Sequence, residues 1–274
     1  MTAYALDHVA IAVRDWAQGG PVLAGRFGGR WDGGFIQPVF SPAQLHYAND
    51  MRVELLEVGT EPSSFVRRFL DAAQAPARPH HITFKVHDIH ATLDAARACG
   101  FGPILVNVAS DMWKEAFLHP KETGLGFLVQ VAQAAGTPKE LGGDLPGIRL
   151  SPPWPEPEGG CAALPAVAGT VARTDAVRRL LCDVLGGTET PMGAETSAFT
   201  WANGADLVLT AATEHTPGLR LLAFRGDGST RWELADVLAA SADEPVVPEL
   251  GIRIADLAPR PGAGERPPAR TRSR

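Results

Sequence analysis

The sequence predicts an α+β fold in which tandem βαβββ units form cupped mixed β-sheets in two modules. Three observations predict it. Residues 79–86 alternate with a strand's period of two, placing His81, Thr83 and Lys85 on one face and Ile82, Phe84 and Val86 on the other. The same design stands one supersecondary unit earlier, where His8, Ala10 and Ala12 oppose Val9, Ile11 and Val13. Each of these strands is followed by a helical stretch with a glycine stop, and then by three extended segments. A strand that is apolar on one face and polar on the other suits a sheet backed by a helix and cupped around a cavity.

Taken in order, the first unit opens with the His8 strand and continues into a helix over residues 21–27, stopped by Gly28-Gly29. Gly33-Gly34 and Pro38 punctuate further extended segments. Residues 51–58 (Met-Arg-Val-Glu-Leu-Leu-Glu-Val) close the unit as a strand, with Glu54 and Leu56 opposite Val53 and Leu55. Residues 63–73 have helical spacing at Phe65, Phe69 and Ala72 and lead into the second unit. There the His81 strand is followed by a helix over 91–99, ended by Gly100, and by extended segments at 104–108 and 115–119. A turn at 120–124 leads into residues 126–131, where Leu128 and Gln130 face away from Phe127, Val129 and Val131.

Residues 134–160 read as a linker dense in Pro and Gly, stiffened by proline rather than floppy. Beyond it the plan returns in degraded form. Residues 166–172 form a strand, 175–185 a helix capped by Gly186-Gly187, and 197–201 and 206–211 strands. A fourth unit follows, with a strand at 218–225, a helix near 231–240 and an ending around 251–255. The expected division is therefore 1–133 for a first module, 134–160 for the linker, 161–258 for a second, and 259–274 for a tail too poor in apolar residues to fold.

Composition narrows the function. Hydrophobic residues make up 45% and charged residues 20% of 274, which fits a packed core, and the net charge of −6 lacks the basic footprint of a nucleic-acid binder. No apolar run approaches a membrane span, and the first residues lack a basic leader, so no membrane partner is expected. Cys99, Cys161 and Cys182 are odd in number and show no motif spacing, which favours a reduced, cytoplasmic protein.

The paired strand-helix-strand-strand-strand plan resembles the vicinal oxygen chelate superfamily, which includes glyoxalase I, methylmalonyl-CoA epimerases and extradiol dioxygenases. Residues 6–13 (Leu-Asp-His-Val-Ala-Ile-Ala-Val) resemble the opening strand of the epimerases, and Val53-Glu54-Leu55-Leu56-Glu57 their fourth. His80-His81-Ile82 and His119-Pro120-Lys121, running on to Val131, are similar to their second half. The resemblance implies a divalent metal (Co, Mn, Ni, Zn or Fe) in the cup, and by position its ligands are His8, Glu54, His81 and Gln130. Glu54 stands 46 residues after His8 and Gln130 stands 49 after His81, so each pair holds matching places in its unit. The epimerases have the amide in the first unit and the glutamate in the second; here that order is reversed. Gln130 cannot accept a proton, which leaves Glu54 as the catalytic carboxylate among the four.

The resemblance also makes Lys121, with His119 beside it, a candidate for an anionic substrate group, such as a carboxylate or CoA thioester. His80 reads as structural, His46, His87 and His90 as solvated, and Glu57 and Glu115 as surface. The second half carries no equivalent set. Residues 165–168 fall near the place of His8, Val208 near Glu54 and Arg220 near His81, which reads as a metal-free module serving dimerisation, as a homodimer, or shaping the pocket. Two classes of function follow. One is a metal-dependent enzyme that abstracts a proton next to a carbonyl through a metal-stabilised enolate, with a glyoxalase-type lyase or a metal-dependent dioxygenase as alternatives. The other is a non-catalytic small-molecule binding or resistance protein, which would need no such ligands.

Overall fold

Strand β1 (Ala5–Val13) lies in the middle of a nine-stranded sheet because its two faces have different fates. Val9, Ile11 and Val13 belong to the large apolar core, whereas Ala10 and Ala12 lie under a helix on the opposite, concave face. The computed structural model describes residues 5–136, 147–212 and 216–257. After β1 come α1 (Trp16–Phe27), β2 (Arg30–Phe35), β3 (Phe40–His46) and β4 (Arg52–Val58), and β4 returns parallel to β1. Helix α2 (Phe65–Ala73) connects to β5 (Ala77–Lys85), which is antiparallel to β1. Then follow α3 (Ile89–Ala98), β6 (Ile104–Asn107), β7 (Trp113–Leu118), the single turn α4 (Pro120–Thr123) and β8 (Leu128–Ala134). The sheet order is β6-β7-β8-β5-β1-β4-β3-β2-β9, the last strand being Ile148–Arg149.

Two features depart from the sequence expectation. Helix α1 begins at Trp16 rather than Pro21, with the Asp15 carboxylate accepting from the Ala17 N–H as its N-cap. The Gly19-Gly20-Pro21 run lies inside the helix, and Gly20 is a seat: a Cβ there would lie 2.2 Å from the Trp154 ring. The helix does end at Gly28, which adopts φ 64 and donates to Ala24 O. The region between the modules is likewise not free where it is described. Its β9 extends the first sheet beside β2, Trp154 packs edge-on against Trp31 at 5.4 Å, and Arg30 donates to Pro157 O at 2.7 Å.

The second sheet repeats the central arrangement. Its elements are β10 (Ala163–Val171), α5 (Thr174–Arg178) running into a π-helical turn (Arg179–Val184), β11 (Thr188–Pro191), β12 (Thr196–Thr200), β13 (Asp206–Ala211), β14 (Gly218–Arg225), α6 (Leu234–Asp243), β15 (Val246–Val247) and β16 (Ile252–Asp256). Strand β10 is parallel to β13 and antiparallel to β14, as β1 is to β4 and β5. The two sheets share one continuous core, in which Phe27 stacks on Phe224 at 4.1 Å and Phe84 meets Trp201 at 4.8 Å. The fold class expected from the sequence is the one observed: two mixed sheets with interleaved helices. Among the described residues no helix is long and apolar enough to cross a membrane.

Strand register equates the two sheets residue by residue. In the first, Ala10 pairs with both Glu54 and His81; in the second, Ala168 pairs with Val208 and Leu221. His8 therefore corresponds to Ala166, Glu54 to Val208 and His81 to Leu221. Gln130, which pairs with Thr83, corresponds to Ala255, which pairs with Ala223. The residue opposite His81 is thus Leu221 and not Arg220. Both sheets carry the same irregularity just beyond this pair, between Ala10 and Ile11 and between Ala168 and Gly169. All four substitutes lie in one apolar cluster with Val237 of α6, so the second concavity is filled by hydrocarbon.

Leu221 is fully buried in that cluster, while Leu238, the next residue of α6 after Val237, is 38% exposed. Leu221→Ala is expected to lower unfolding stability by roughly 2–5 kcal/mol, and Leu238→Ala by less than about 0.5 kcal/mol. Urea unfolding of the two variants measures the contrast, and equal losses would contradict the plugged concavity.

Candidate functional site

The concave face of the first sheet collects the polar members of β1, β4, β5 and β8. His8, Glu54 and His81 are all buried, and one ligating atom from each lies within 4.8 Å of the other two. Glu54 Oε1 stands 3.8 Å from His8 Nε2 and 4.0 Å from His81 Nε2, beyond hydrogen-bond reach of both. Among the described residues His81 Nε2 has no hydrogen-bond partner, although it is fully buried. An orphaned imidazole nitrogen beside a carboxylate is costly unless something fills the space between them. A divalent cation fits that donor set, since two imidazoles and a carboxylate are its ordinary ligands.

Each side chain is held from behind. The His8 Nδ1–H donates to Asp7 Oδ2 at 2.8 Å, and Arg52 and Lys85 close on Asp7 Oδ1 at 3.2 and 3.6 Å. Burial pushes the Asp7 carboxyl up, but the His8 hydrogen bond and the charges of His8, Arg52 and Lys85 outweigh it and hold it at about 2. Glu54 Oε2 accepts from Gln44 Nε2 at 2.8 Å across the β3–β4 ladder, where the two are direct partners. Burial nevertheless raises the Glu54 carboxyl, against the His8 charge and the Gln44 hydrogen bond, with Asp7 and Glu115 adding to the rise. Burial also drives His81 well below the usual imidazole range, with His80 and His8 adding to the effect. Both shifts favour neutral side chains, the state expected of ligand positions that lack their counter-charge.

Gln130 sits between two partners. Its Oε1 accepts from the Thr83 hydroxyl at 2.5 Å, and its Nε2 donates to Glu115 Oε2 at 2.6 Å. The Glu115 contact fixes the amide's orientation and leaves the second lone pair of Oε1 free of it. Thr83 Oγ1 also meets His8 Nε2 at 2.8 Å, so one hydroxyl bridges the first strand of one unit and the last strand of the other. Glu115, read from the sequence as surface, instead reaches into the cup from β7, where Trp113 Nε1 also donates to it at 2.9 Å. Gln44, Thr83 and Asp7 were likewise missed as site residues. Gln44 between Ala43 and Leu45 is a polar residue in an apolar stretch, whereas Glu115 beside Lys114 reads as an ordinary exposed charge.

The other named residues fall elsewhere. His119 is the N-cap of α4, its Nδ1 accepting from the Lys121 N–H, and Lys121 is exposed on that turn. Glu57 accepts from the Trp16 N–H at 2.8 Å. His80 packs between Phe69, Phe65 and His81 and is lowered to about 4 by burial and then by the Arg78 charge. Helix α2 lies over the same concave face, with Val66 and Leu70 against Ala10, Ala12 and Leu56, and closes the cup on that side.

The depressed Asp7 gives a pH-dependent prediction. A carboxyl held below its unfolded value stabilises the fold above about pH 4 and loses that contribution as pH falls through about 2. The Asp7→Asn variant still offers an acceptor to His8 but no charge. It is expected to be about 2 kcal/mol less stable at pH 7, with the gap to wild type closing as pH falls from about 4 towards 2. Denaturant unfolding across that range tests it; a gap that stays constant with pH would contradict it.

No curated protein matches the chain. The described structure is similar to a variant of 4-hydroxymandelate synthase from Streptomyces coelicolor, with 14% identity and a TM-score of 0.55 over 82% of this chain and 71% of that one. It is also similar to methylmalonyl-CoA epimerase from Mycobacterium tuberculosis, with 23% identity and a TM-score of 0.43, covering 48% of this chain and 89% of that one. A variant epimerase from Streptomyces coelicolor, in complex with 2-nitronate-propionyl-CoA, gives 24% identity and a TM-score of 0.42 over 48% and 98%. The first of these spans both sheets, in keeping with two modules of one architecture. The family model for the Glyoxalase/Bleomycin resistance protein/Dioxygenase superfamily matches residues 7–117. That segment, which carries His8, Glu54, His81 and Glu115, is a domain of this superfamily.

Proposed function

We propose that the chain is a metal-dependent enzyme that removes a proton next to a substrate carbonyl. The observation that carries this reading is the buried His8–Glu54–His81 group, with its unpartnered His81 Nε2 and a second carboxylate, Glu115, at its edge. His8, Glu54 and His81 would hold the cation, with the Gln130 amide oxygen as a fourth ligand. Bound there, a divalent cation would polarise substrate oxygens as a Lewis acid and make the adjacent C–H more acidic.

The chain's own groups divide the remaining work. As a ligand Glu54 would be a poor base, although it is the one member of the proposed set able to take a proton. Glu115 is the free carboxylate: it is only partly buried, and its Oε2 is anchored by Gln130 and Trp113. It receives the substrate proton, and the same anchoring ties its position to that of the Gln130 ligand. The apolar wall of α2 keeps water from one side of the cup. Lys121 offers a cation for an anionic substrate group such as a carboxylate or CoA thioester.

The donor set also favours a second reading. Two imidazoles and one carboxylate are the ligands of non-haem iron oxygenases, and oxygen uptake with Fe(II) discriminates that activity. For proton abstraction the trial substrate is a 2-methylmalonyl thioester, after the epimerases among the structural neighbours. Metal-loaded wild type is expected to exchange its C2 proton with deuterated solvent. Glu115→Gln should slow exchange by about 10²–10⁴-fold with metal affinity kept within a few-fold. Glu54→Gln should weaken metal binding as well, because it removes the charge that offsets the cation. Absence of exchange in metal-loaded wild type rules out proton abstraction from this substrate, and full exchange by Glu115→Gln removes that residue's assigned role.

A further inference from the structure

We infer that His80 is a positioning residue whose imidazole sets the tautomer of His81, and so decides whether His81 Nε2 is available as a ligand. The inference rests on reading the buried group as a metal centre. The two rings meet through their Nδ1 atoms at 2.8 Å, with centroids 5.1 Å apart and planes at 79°. A single proton lies between those nitrogens. If His81 donates it, His81 Nε2 is left as a lone pair facing Glu54 Oε1, 4.0 Å away. If His80 donates it, His81 carries its own proton on Nε2, where the N–H faces Glu54 Oε1 at 4.0 Å, beyond hydrogen-bond reach, and leaves no lone pair for a cation. Only the first arrangement produces a ligand, so His80 accepts at Nδ1 and keeps its proton on Nε2.

The first unit solves the same problem differently. There Asp7, also the residue just before its histidine, accepts from His8 Nδ1 at 2.8 Å. A carboxylate of that kind can only accept, and the His8 tautomer follows without condition. An imidazole can accept or donate, so the His81 tautomer depends on what surrounds His80. Helix α2 supplies that surrounding: Phe69 stands edge-on to the His80 ring at 4.8 Å, and Phe65 is 5.7 Å away. The α2 segment that closes the cup thereby also holds the ring behind one of its ligands.

The test uses the full chain with selectively labelled histidine, first without metal. Nitrogen-15 NMR of wild type is expected to show His81 as the Nδ1–H tautomer. His80→Phe keeps a ring between Phe65 and Phe69 but removes the acceptor. It is expected to lose that tautomer and to bind Co(II) 10–100-fold more weakly, with an altered visible spectrum. His80→Asn places a carbonyl oxygen near the position of the lost Nδ1 and should restore Co(II) affinity to within a few-fold of wild type. A metal-free wild type with His81 protonated at Nε2 overturns the inference, and this holds whether or not His80→Phe folds. A well-folded His80→Phe that binds Co(II) as wild type does also overturns it. A wild type that binds no Co(II) overturns the metal-centre reading itself, an outcome distinct from the other two.

Discussion

Two imidazoles and a carboxylate lie buried in the first sheet without a hydrogen bond linking the carboxylate to either ring, and the rest of the module is arranged around that cost. Isolated burial of such groups costs several kcal/mol, which the protein limits in two ways. It holds the outer atoms of each group by a dedicated partner: Asp7 for His8, Gln44 for Glu54 and His80 for His81. Burial also shifts Glu54 upward and His81 downward, each toward its uncharged form. Asp7 in turn is neutralised by Arg52, which Asp32 holds from the other side at 2.8 Å. Each of the three side chains is thus held from behind by a partner of its own.

The second sheet shows what the architecture looks like without that demand. Its strands keep the register of the first, yet Ala166, Val208, Leu221 and Ala255 stand where His8, Glu54, His81 and Gln130 do. Helix α6 follows β14 as α3 follows β5, but Val237 joins the cluster on the concave face whereas Ile89 and Leu93 of α3 join the main core. Filling the concavity stabilises the sheet by ordinary apolar burial and removes any room for a ligand. What the second module contributes instead is core. Phe224 and Trp201 complete packing around Phe27 and Phe84 that the first module leaves open.

The histidine strands were legible because a period of two with polar residues on one face is a strong signal, and its recurrence fixed the unit length. Glu54 and Gln130 are what the family resemblance implies, and their matched spacing from the two histidines agrees with it. The supporting residues were not legible for physical reasons. Gln44 and Glu115 act through cross-strand contacts, direct for Gln44 and Glu54 and diagonal for Glu115 and Gln130, and a single sequence does not reveal strand pairing. Helix α1 was shortened because Gly19, Gly20 and Pro21 carry low helix propensity, and the residue that needs Gly20 small is Trp154, far along the chain. Spacing alone brings Arg220 near the place of His81, but neighbouring strand residues face opposite ways, and it is Leu221 that pairs with Ala168 as His81 pairs with Ala10. The break of the third-unit helix into a π-helical turn at Arg179–Val184 left no mark in its apolar spacing.

The reversed order of glutamate and glutamine becomes intelligible once both hairpins are set side by side. In the first unit Gln44 on β3 clamps Glu54 on β4. In the second Glu115 on β7 is clamped by Gln130 on β8. Each hairpin therefore carries one carboxylate and one amide on the concave face, with the roles of third and fourth strand exchanged. The strands that carry His8 and His81 run antiparallel beside one another, and each has its own unit's last strand parallel on its outer side. Under that near-symmetry, swapping which unit supplies the ligand carboxylate and which the free one leaves the charge in the cup unchanged. On the proposed reading, the base that the last strand of the second unit lacks stands instead on the strand beside it, as Glu115.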